Sequence, residues 1–206
     1  MKNRLGVKLA AVAVISSMGL AVVAAPAGAV TYKVNPAMST FKITASTSGV
    51  SAHDRHLATK SFTGSVALSN TMQPQSVQMT VKANSFKSID QNESATDRTR
   101  INNATAGPIL EASKYPNIVF KSTKIVPNKP IKGAYRVQVF GKLTLHGVTR
   151  PVVIPVSGAI SGNTLRGSGS LRIKQSDYNI TLLSLLGGII RVNDPLTLSF
   201  NIVATK

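Results

Sequence analysis

Three histidines and seven carboxylates are the residues of this chain best suited to chemistry. His53 and His56 stand three apart. On a helix they would share a face, and such a pair can bind a metal. A tight site needs a third ligand, which His146 or a remote carboxylate would have to supply. A polar helix surface is the commoner meaning of this spacing. His146 precedes Gly147 and could in principle serve as a general base. No serine, cysteine or carboxylate adjoins it in sequence, so a turn-fixing hydrogen bond is the commoner role. The acids are Asp54, Asp90, Glu93, Asp97, Glu111, Asp177 and Asp194. Nothing in their spacing singles out a glycosidase pair. G-x-S-x-G, G-x-x-x-x-G-K-[ST], H-E-x-x-H and a G-x-G-x-x-G strand–helix turn are all missing. There is no cysteine, which removes disulfides, thiol catalysis and thiolate metal sites. The chain therefore reads as a non-enzyme with no catalytic residues, metal or cofactor. A His-dependent small-molecule enzyme remains an alternative.

The elements that must position any site are strands. The stretch Val139–Val156 is the clearest: Val139, Gly141, Leu143 and Leu145 alternate with polar neighbours, and Val152, Ile154 and Val156 share a face. Period-two alternation marks a strand with one buried side. The joint His146-Gly147-Val148-Thr149-Arg150 makes the stretch an antiparallel hairpin, with Gly147 free to take a positive φ. Similar alternation fills Ser39–Ser46, Phe62–Leu68, Val77–Ala83, Ile118–Ser122, Leu165–Ile173 and Leu196–Ala204. Turn signals separate them at Ser69-Asn70-Thr71, Pro127-Asn128-Lys129-Pro130 and Ser161-Gly162-Asn163. About eight strands at this spacing predict an all-β fold, a sandwich or an antiparallel barrel. Two stretches break the pattern. Ser51-Ala-His-Asp54 fits a capping box and predicts a short helix to about Lys60. Pro108–Tyr115 predicts a second, with Pro108 in the first helical position and Pro116 as its stop.

An eight-stranded barrel has an interior just wide enough for side chains or one slender ligand. The inward set mixes bulky residues with Ala45, Gly64, Ala83, Gly141, Gly167 and Gly169. Small inward residues would leave unfilled apolar volume, which favours a long hydrophobic ligand. Equally, the glycines could mark bulges and bends that let the strands curl. The run Thr181–Ile190 is apolar on all sides. It reads as a buried closing strand with a glycine bend, or as a hydrophobic lip that touches a bilayer or gates a tunnel.

Residues 1–29 are set apart. Lys2, Arg4 and Lys8 precede the uncharged run Leu9–Ala25, and Ala27-Gly28-Ala29 is a small-x-small signature. This is the pattern of a secretory signal peptide cut after Ala29, with an uncleaved anchor as the alternative. Residues 30–206 then form one domain, periplasmic or secreted. The chain of 206 residues carries 24 basic residues against seven acids, a formal charge of +17. Such charge suits transient contact with an anionic membrane surface. Lys and Arg are scattered along polar strand faces without a dense run, and export argues against nucleic acid.

Several strings resemble the YceI-like family of exported lipid-binding proteins. They are Gly141-Lys-Leu-Thr-Leu-His-Gly-Val-Thr-Arg-Pro151, Ile109–Ser122, Leu171–Ile180, Leu186–Asp194 and the closing strand Leu196–Ala204. Tyr32-Lys-Val and Phe62-Thr-Gly-Ser-Val66 match more weakly. The chain departs from the family pattern at Asn35-Pro-Ala-Met-Ser39, Ala45, Arg100-Ile101 and Asn179. The resemblance implies an eight-stranded antiparallel lipocalin-like β-barrel with one or two short helices. It implies a tunnel holding a polyisoprenoid, isoprenoid quinone or similar amphipathic lipid, for transport or sequestration. By strand parity the expected lining is Phe41, Ile43, Phe62, Val66, Met79, Val81, Phe120, Leu143, Leu145, Leu171, Ile173, Leu198 and Phe200. A homodimer is allowed for, and a cationic envelope-surface module with a filled core is the alternative.

Overall fold

The computed structural model describes residues 29–49, 52–128, 134–182, 184–185 and 190–206, with backbone alone for 184–185 and 190. Twelve strands are described: β1 (Val30–Val34), β2 (Thr40–Gly49), β3 (Asp54–Thr59), β4 (Phe62–Leu68), β5 (Pro74–Lys82), β6 (Lys87–Ser88), β7 (Asn117–Pro127), β8 (Tyr135–Leu145), β9 (Val148–Ser161), β10 (Thr164–Lys174), β11 (Ser184–Leu185) and β12 (Ile190–Thr205). Eight of them form a closed antiparallel circuit in the order β1-β4-β5-β7-β8-β9-β10-β12. The circuit closes where Lys33 pairs with Thr205 and Val34 with Ala204. β2, β3 and β6 extend the wall from the other part of β12, and β2 pairs with it from Ile190 to Asn201.

β1 and β2 thus behave as one broken strand laid along β12. The break is a 3-10 turn, Pro36–Met38. Asn35 caps it by accepting from the Ala37 amide at 3.0 Å. Ser39 is almost fully buried and pins the joint: its Oγ donates to Asn35 O at 2.7 Å and accepts from the Val203 amide at 2.9 Å. The string Asn35-Pro-Ala-Met-Ser39, which departs from the family pattern, therefore supplies the joint between β1 and β2.

The β8–β9 hairpin is tighter than the sequence suggests. Its loop is only His146-Gly147, because Leu145 already pairs with Val148. Both loop residues have positive φ, 50° and 75°. That combination is the type I′ turn, whose twist matches paired strands. Asn179, which replaces a family glycine, also has positive φ, 55°. Asparagine is among the few residues that tolerate this region.

The two expected helices need correction. Residues 54–59 form strand β3, with Arg55 opposite Ala45 and Leu57 opposite Ile43. His53 precedes this strand and His56 lies within it, so the shared helix face on which the metal reading of the pair rested is not formed. The observed helix is α1, Ala95–Ala104, upstream of the expected one. It opens on its own capping box: the Asp97 amide donates to Ser94 Oγ at 3.0 Å. Its sequence lacks an apolar stripe, and periodicity could not find it. Pro108 sits inside a following π-helical turn, Thr105–Ile109. Pro108 has no N–H to donate, which fits the widened turn in which Leu110 N reaches back to Thr105 O at 3.0 Å. Among the described residues no helix is long and apolar enough to cross a membrane.

The segment before α1 is tied to β3 by charge. The Asp90 carboxylate accepts from the His56 amide at 3.0 Å and lies 2.8 Å from His56 Nδ1. Glu93 binds Arg55 and the Ser88 hydroxyl. Burial opposes the charged form of Asp90, but the His56 bonds and the nearby Arg55 charge outweigh it and lower its pKa.

The inward glycines are occupied rather than empty. A Cβ at Gly141 would lie 2.5 Å from the Phe120 ring and 2.6 Å from Lys121 O. At Gly64 it would meet Met79, and at Gly169 it would meet Phe200. The expected gaps are filled by large side chains from the neighbouring strand. Gly167 differs, because its nearest neighbour would be Ile202 at 3.4 Å, an ordinary contact.

Two predictions follow from this packing and pairing. Gly141→Ala should destabilise the barrel by about 1–3 kcal/mol through overpacking, whereas Gly167→Ala should stay within about 0.5 kcal/mol, in denaturant unfolding. Asp90→Asn should lower stability at neutral pH. A carboxyl whose folded pKa is depressed contributes stability above its unfolded value of 3.8 and loses it as pH falls through the folded value. The gap between variant and natural protein should therefore close in acid, which thermal unfolding across pH would show.

Candidate functional site

The barrel encloses a cavity of about 670 Å³. That is the size of a small-molecule site, for which roughly 300–1,000 Å³ is usual. Inward residues of β2, β5, β7, β8, β10 and β12 make its wall. It runs along β8 from Tyr135 to Leu145, about 34 Å of extended chain. Alternation largely dictates this: each strand gives every second side chain to the interior, most of them Val, Leu, Ile, Phe and Met, with Lys42, Thr47, Arg166 and Ser199 at the margins.

The structure places eleven of the thirteen expected residues on this wall: Phe41, Ile43, Val66, Met79, Val81, Phe120, Leu143, Leu145, Leu171, Leu198 and Phe200. Phe62 and Ile173 lie off this wall. Phe62 is buried at the start of β4, and its ring packs edge-on against Phe41 at 4.7 Å. Ile173 is buried near the end of β10 and borders a smaller hollow with Tyr178 and Pro151. Parity assigns a face, but position along the strand decides whether that face meets the cavity or the packed end.

Parity missed other lining residues. β3 contributes Arg55 and Leu57, α1 contributes Asp97, Arg100, Ile101 and Ala104, and the π-helical turn contributes Ile109. One end of the cavity is therefore covered by the helix and carries charge. At the other end, Tyr135, Val137, Val156 and Leu165 line the wall. The alternating string Arg55-His-Leu57 could have signalled β3, had the capping box not outweighed it. The filled-core alternative does not agree with this interior.

The residues suited to chemistry hold structure. His146 is buried, and its Nδ1 lies 3.1 Å from Tyr178 O. Its ring meets Tyr115 edge-on at 4.7 Å. Its Nε2 is 3.5 Å from Glu111 Oε1, an ion-pair distance longer than a good hydrogen bond. This is the turn-fixing arrangement. Asp194 accepts from the Ser176 amide at 2.8 Å and its hydroxyl at 2.7 Å, and these bonds lower its pKa. Asp54 accepts from Ser46 Oγ at 2.6 Å. Among the described residues no group of three His, Asp or Glu has a metal-binding arrangement. The apolar run 181–190 lies largely outside the described residues. There β11 pairs with β12 at Ile190 and Arg191, and Leu182 is exposed.

A family model described as the YceI-like domain matches residues 32–204. A UPF0312 protein of Vibrio parahaemolyticus is 33% identical over 102 residues, 47% of this chain and 50% of the relative. The chain thus spans about half the length of the curated relatives it matches. Burkholderia cenocepacia BcnA superposes with a TM-score of 0.66 at 29% identity, over 84% of this chain and 99% of that one. A polyisoprenoid binding domain from Saccharophagus degradans, implicated in plant cell wall breakdown, gives 0.60 at 14% identity, over 84% and 97%. The Campylobacter jejuni YCEI protein gives 0.56 at 19%, over 73% and 84%. The last two share the fold. The closed barrel, its apolar interior and the match across residues 32–204 place this chain in the YceI-like family.

Proposed function

We propose that this protein is a non-enzymatic carrier or sequesterer of a long-chain amphipathic lipid of the polyisoprenoid or isoprenoid quinone type. The observation that carries this reading is the elongated apolar cavity along β8. Water has few partners on such a wall, so filling it with hydrocarbon is favourable by roughly 25 cal/mol per Å² of apolar surface removed from water. The ligand site is the wall itself, with Phe41, Phe120, Leu143 and Phe200 among its larger contributors. The fold-sharing polyisoprenoid binding domain of S. degradans supports the same class of ligand. With His146 engaged in holding its turn, the binding reading stands ahead of a His-dependent enzyme.

The leader 1–29 belongs to this reading. Cleavage after Ala29 would release residues 30–206 as one domain into the periplasm or outside the cell. The positive charge of the chain supports transient contact with anionic membrane surfaces during loading or delivery.

Gentle purification followed by native mass spectrometry should show one lipid per protein, and the stripped protein should take up an added isoprenoid quinone. No retained lipid and no uptake would count decisively against the carrier. Gly167→Leu places bulk on the cavity wall and should lower lipid occupancy several-fold while the barrel stays folded, as read by circular dichroism. N-terminal sequencing of the exported protein should begin at Val30; a start at Met1 would favour the anchor.

A further inference from the structure

The end of the cavity away from α1 carries one hydroxyl without a partner, Tyr135, and a second orphaned hydroxyl, that of Tyr32, lies buried near it. Tyr135 opens β8 opposite Gly158. The ring lies close over that glycine: a Cβ there would stand 3.5 Å from Tyr135 Cδ2. Tyr135 lines the cavity, and its hydroxyl is buried with no hydrogen-bond partner among the described residues. Tyr32, on β1, is wholly buried, and its hydroxyl is in the same condition. The large majority of buried side-chain polar atoms find a partner, so two neighbouring orphans, one of them on a cavity wall, call for an explanation.

Burial, and then the nearby Tyr32, push the Tyr135 phenol above its ordinary pKa. It is therefore a neutral O–H donor at physiological pH. The wall around it is aliphatic, with Val137, Val156, Leu165 and Ile202. The neighbouring Arg166 borders the cavity as well, but it is exposed and its charge stays solvated. An anion bound here would be desolvated without a buried countercharge, which is costly. Of the other charged lining residues, Arg55, Asp97 and Arg100 belong to the α1 end, and Lys42 lies on β2 between Phe41 and Ile43.

We propose that Tyr135, backed by Tyr32, is an anchor for a neutral carbonyl oxygen of the bound lipid. This rests on the lipid-carrier reading and deepens it. The ligand would then lie with its oxygen-bearing end at Tyr135 and its hydrocarbon directed toward α1. A quinone carbonyl has the required chemistry, whereas a prenyl phosphate does not.

The test compares the stripped full-length protein with Tyr135→Phe, using geranylgeranyl benzoquinone, squalene and geranylgeranyl phosphate as probes in calorimetric titrations. Removing one hydrogen bond should weaken quinone binding about five- to tenfold and leave squalene unchanged. The bound quinone should also show a carbonyl stretch lowered in the natural protein and restored in the variant. The ligand-free variant should melt no lower than the natural protein, because the hydroxyl has no protein partner to lose. Equal loss for quinone and squalene, an unchanged quinone affinity, or a lower ligand-free melting point would overturn the anchor while leaving the carrier intact. Tighter binding of the phosphate than of the quinone would overturn the preference for a neutral acceptor. Failure of all three probes to bind the natural protein would instead overturn the carrier reading, and the anchor with it.

Discussion

Closure of β1 onto β12 is the contact on which the structure depends. Two residue pairs, Lys33 with Thr205 and Val34 with Ala204, turn an extended sheet into a ring. An open sheet leaves an edge of unpaired N–H and C=O groups that invites association with other chains. A closed ring also shields an interior that is not completely packed. The contact is short because the edge of β12 opposite β10 is shared, by β2 along most of its length and by β1 at its end. Ser39 makes that sharing possible. Its buried hydroxyl accepts from Val203 and donates to Asn35, so the chain can change partner at the joint without losing backbone hydrogen bonds.

The cavity has a different origin from the one the inward glycines suggest. Phe120, Met79 and Phe200 occupy the space beside Gly141, Gly64 and Gly169. These glycines let large side chains lie flat on the adjacent strand, and so they thicken the wall. The open volume comes from a wall widened by β2 and β3 and covered at one end by α1 and its π-helical turn. The ion pairs of Asp90 and Glu93 with His56 and Arg55 fasten the approach to that cover. Two of the seven acids, Asp90 and Glu93, are thereby committed to holding that approach.

Eight strands, their alternating faces and the β8–β9 hairpin could be read from the chain because period-two alternation is a local property. Eleven of the thirteen expected wall residues lie on the cavity for the same reason. The errors came where two local signals competed or where neither was strong. Ser51-Ala-His-Asp54 and Ser94-Ala-Thr-Asp97 are the same capping pattern, yet only the second begins a helix. In the first, the partners Ala45 and Ile43 on β2 hold the chain extended. In the second, a polar helix survives on its cap and on the contact of Ile101 with the core. Pairing across a sheet overrides a local helical preference when the partner strand lies only a few residues away.

By itself the sequence determined the fold class, the greasy interior and the family, since each rests on patterns within ten or twenty residues. It also pointed to His146 as a turn residue, because no partner stood beside it. Only the tertiary structure decided where the interior is full and where it is empty. That depends on which large side chain crosses over which glycine, a relation between strands far apart in the chain. The same is true of the two ends of the cavity. Arg55 and Arg100 come to one end, and Tyr135 to the other with Tyr32 buried near it, only once β1 has closed on β12 and α1 has covered the wall.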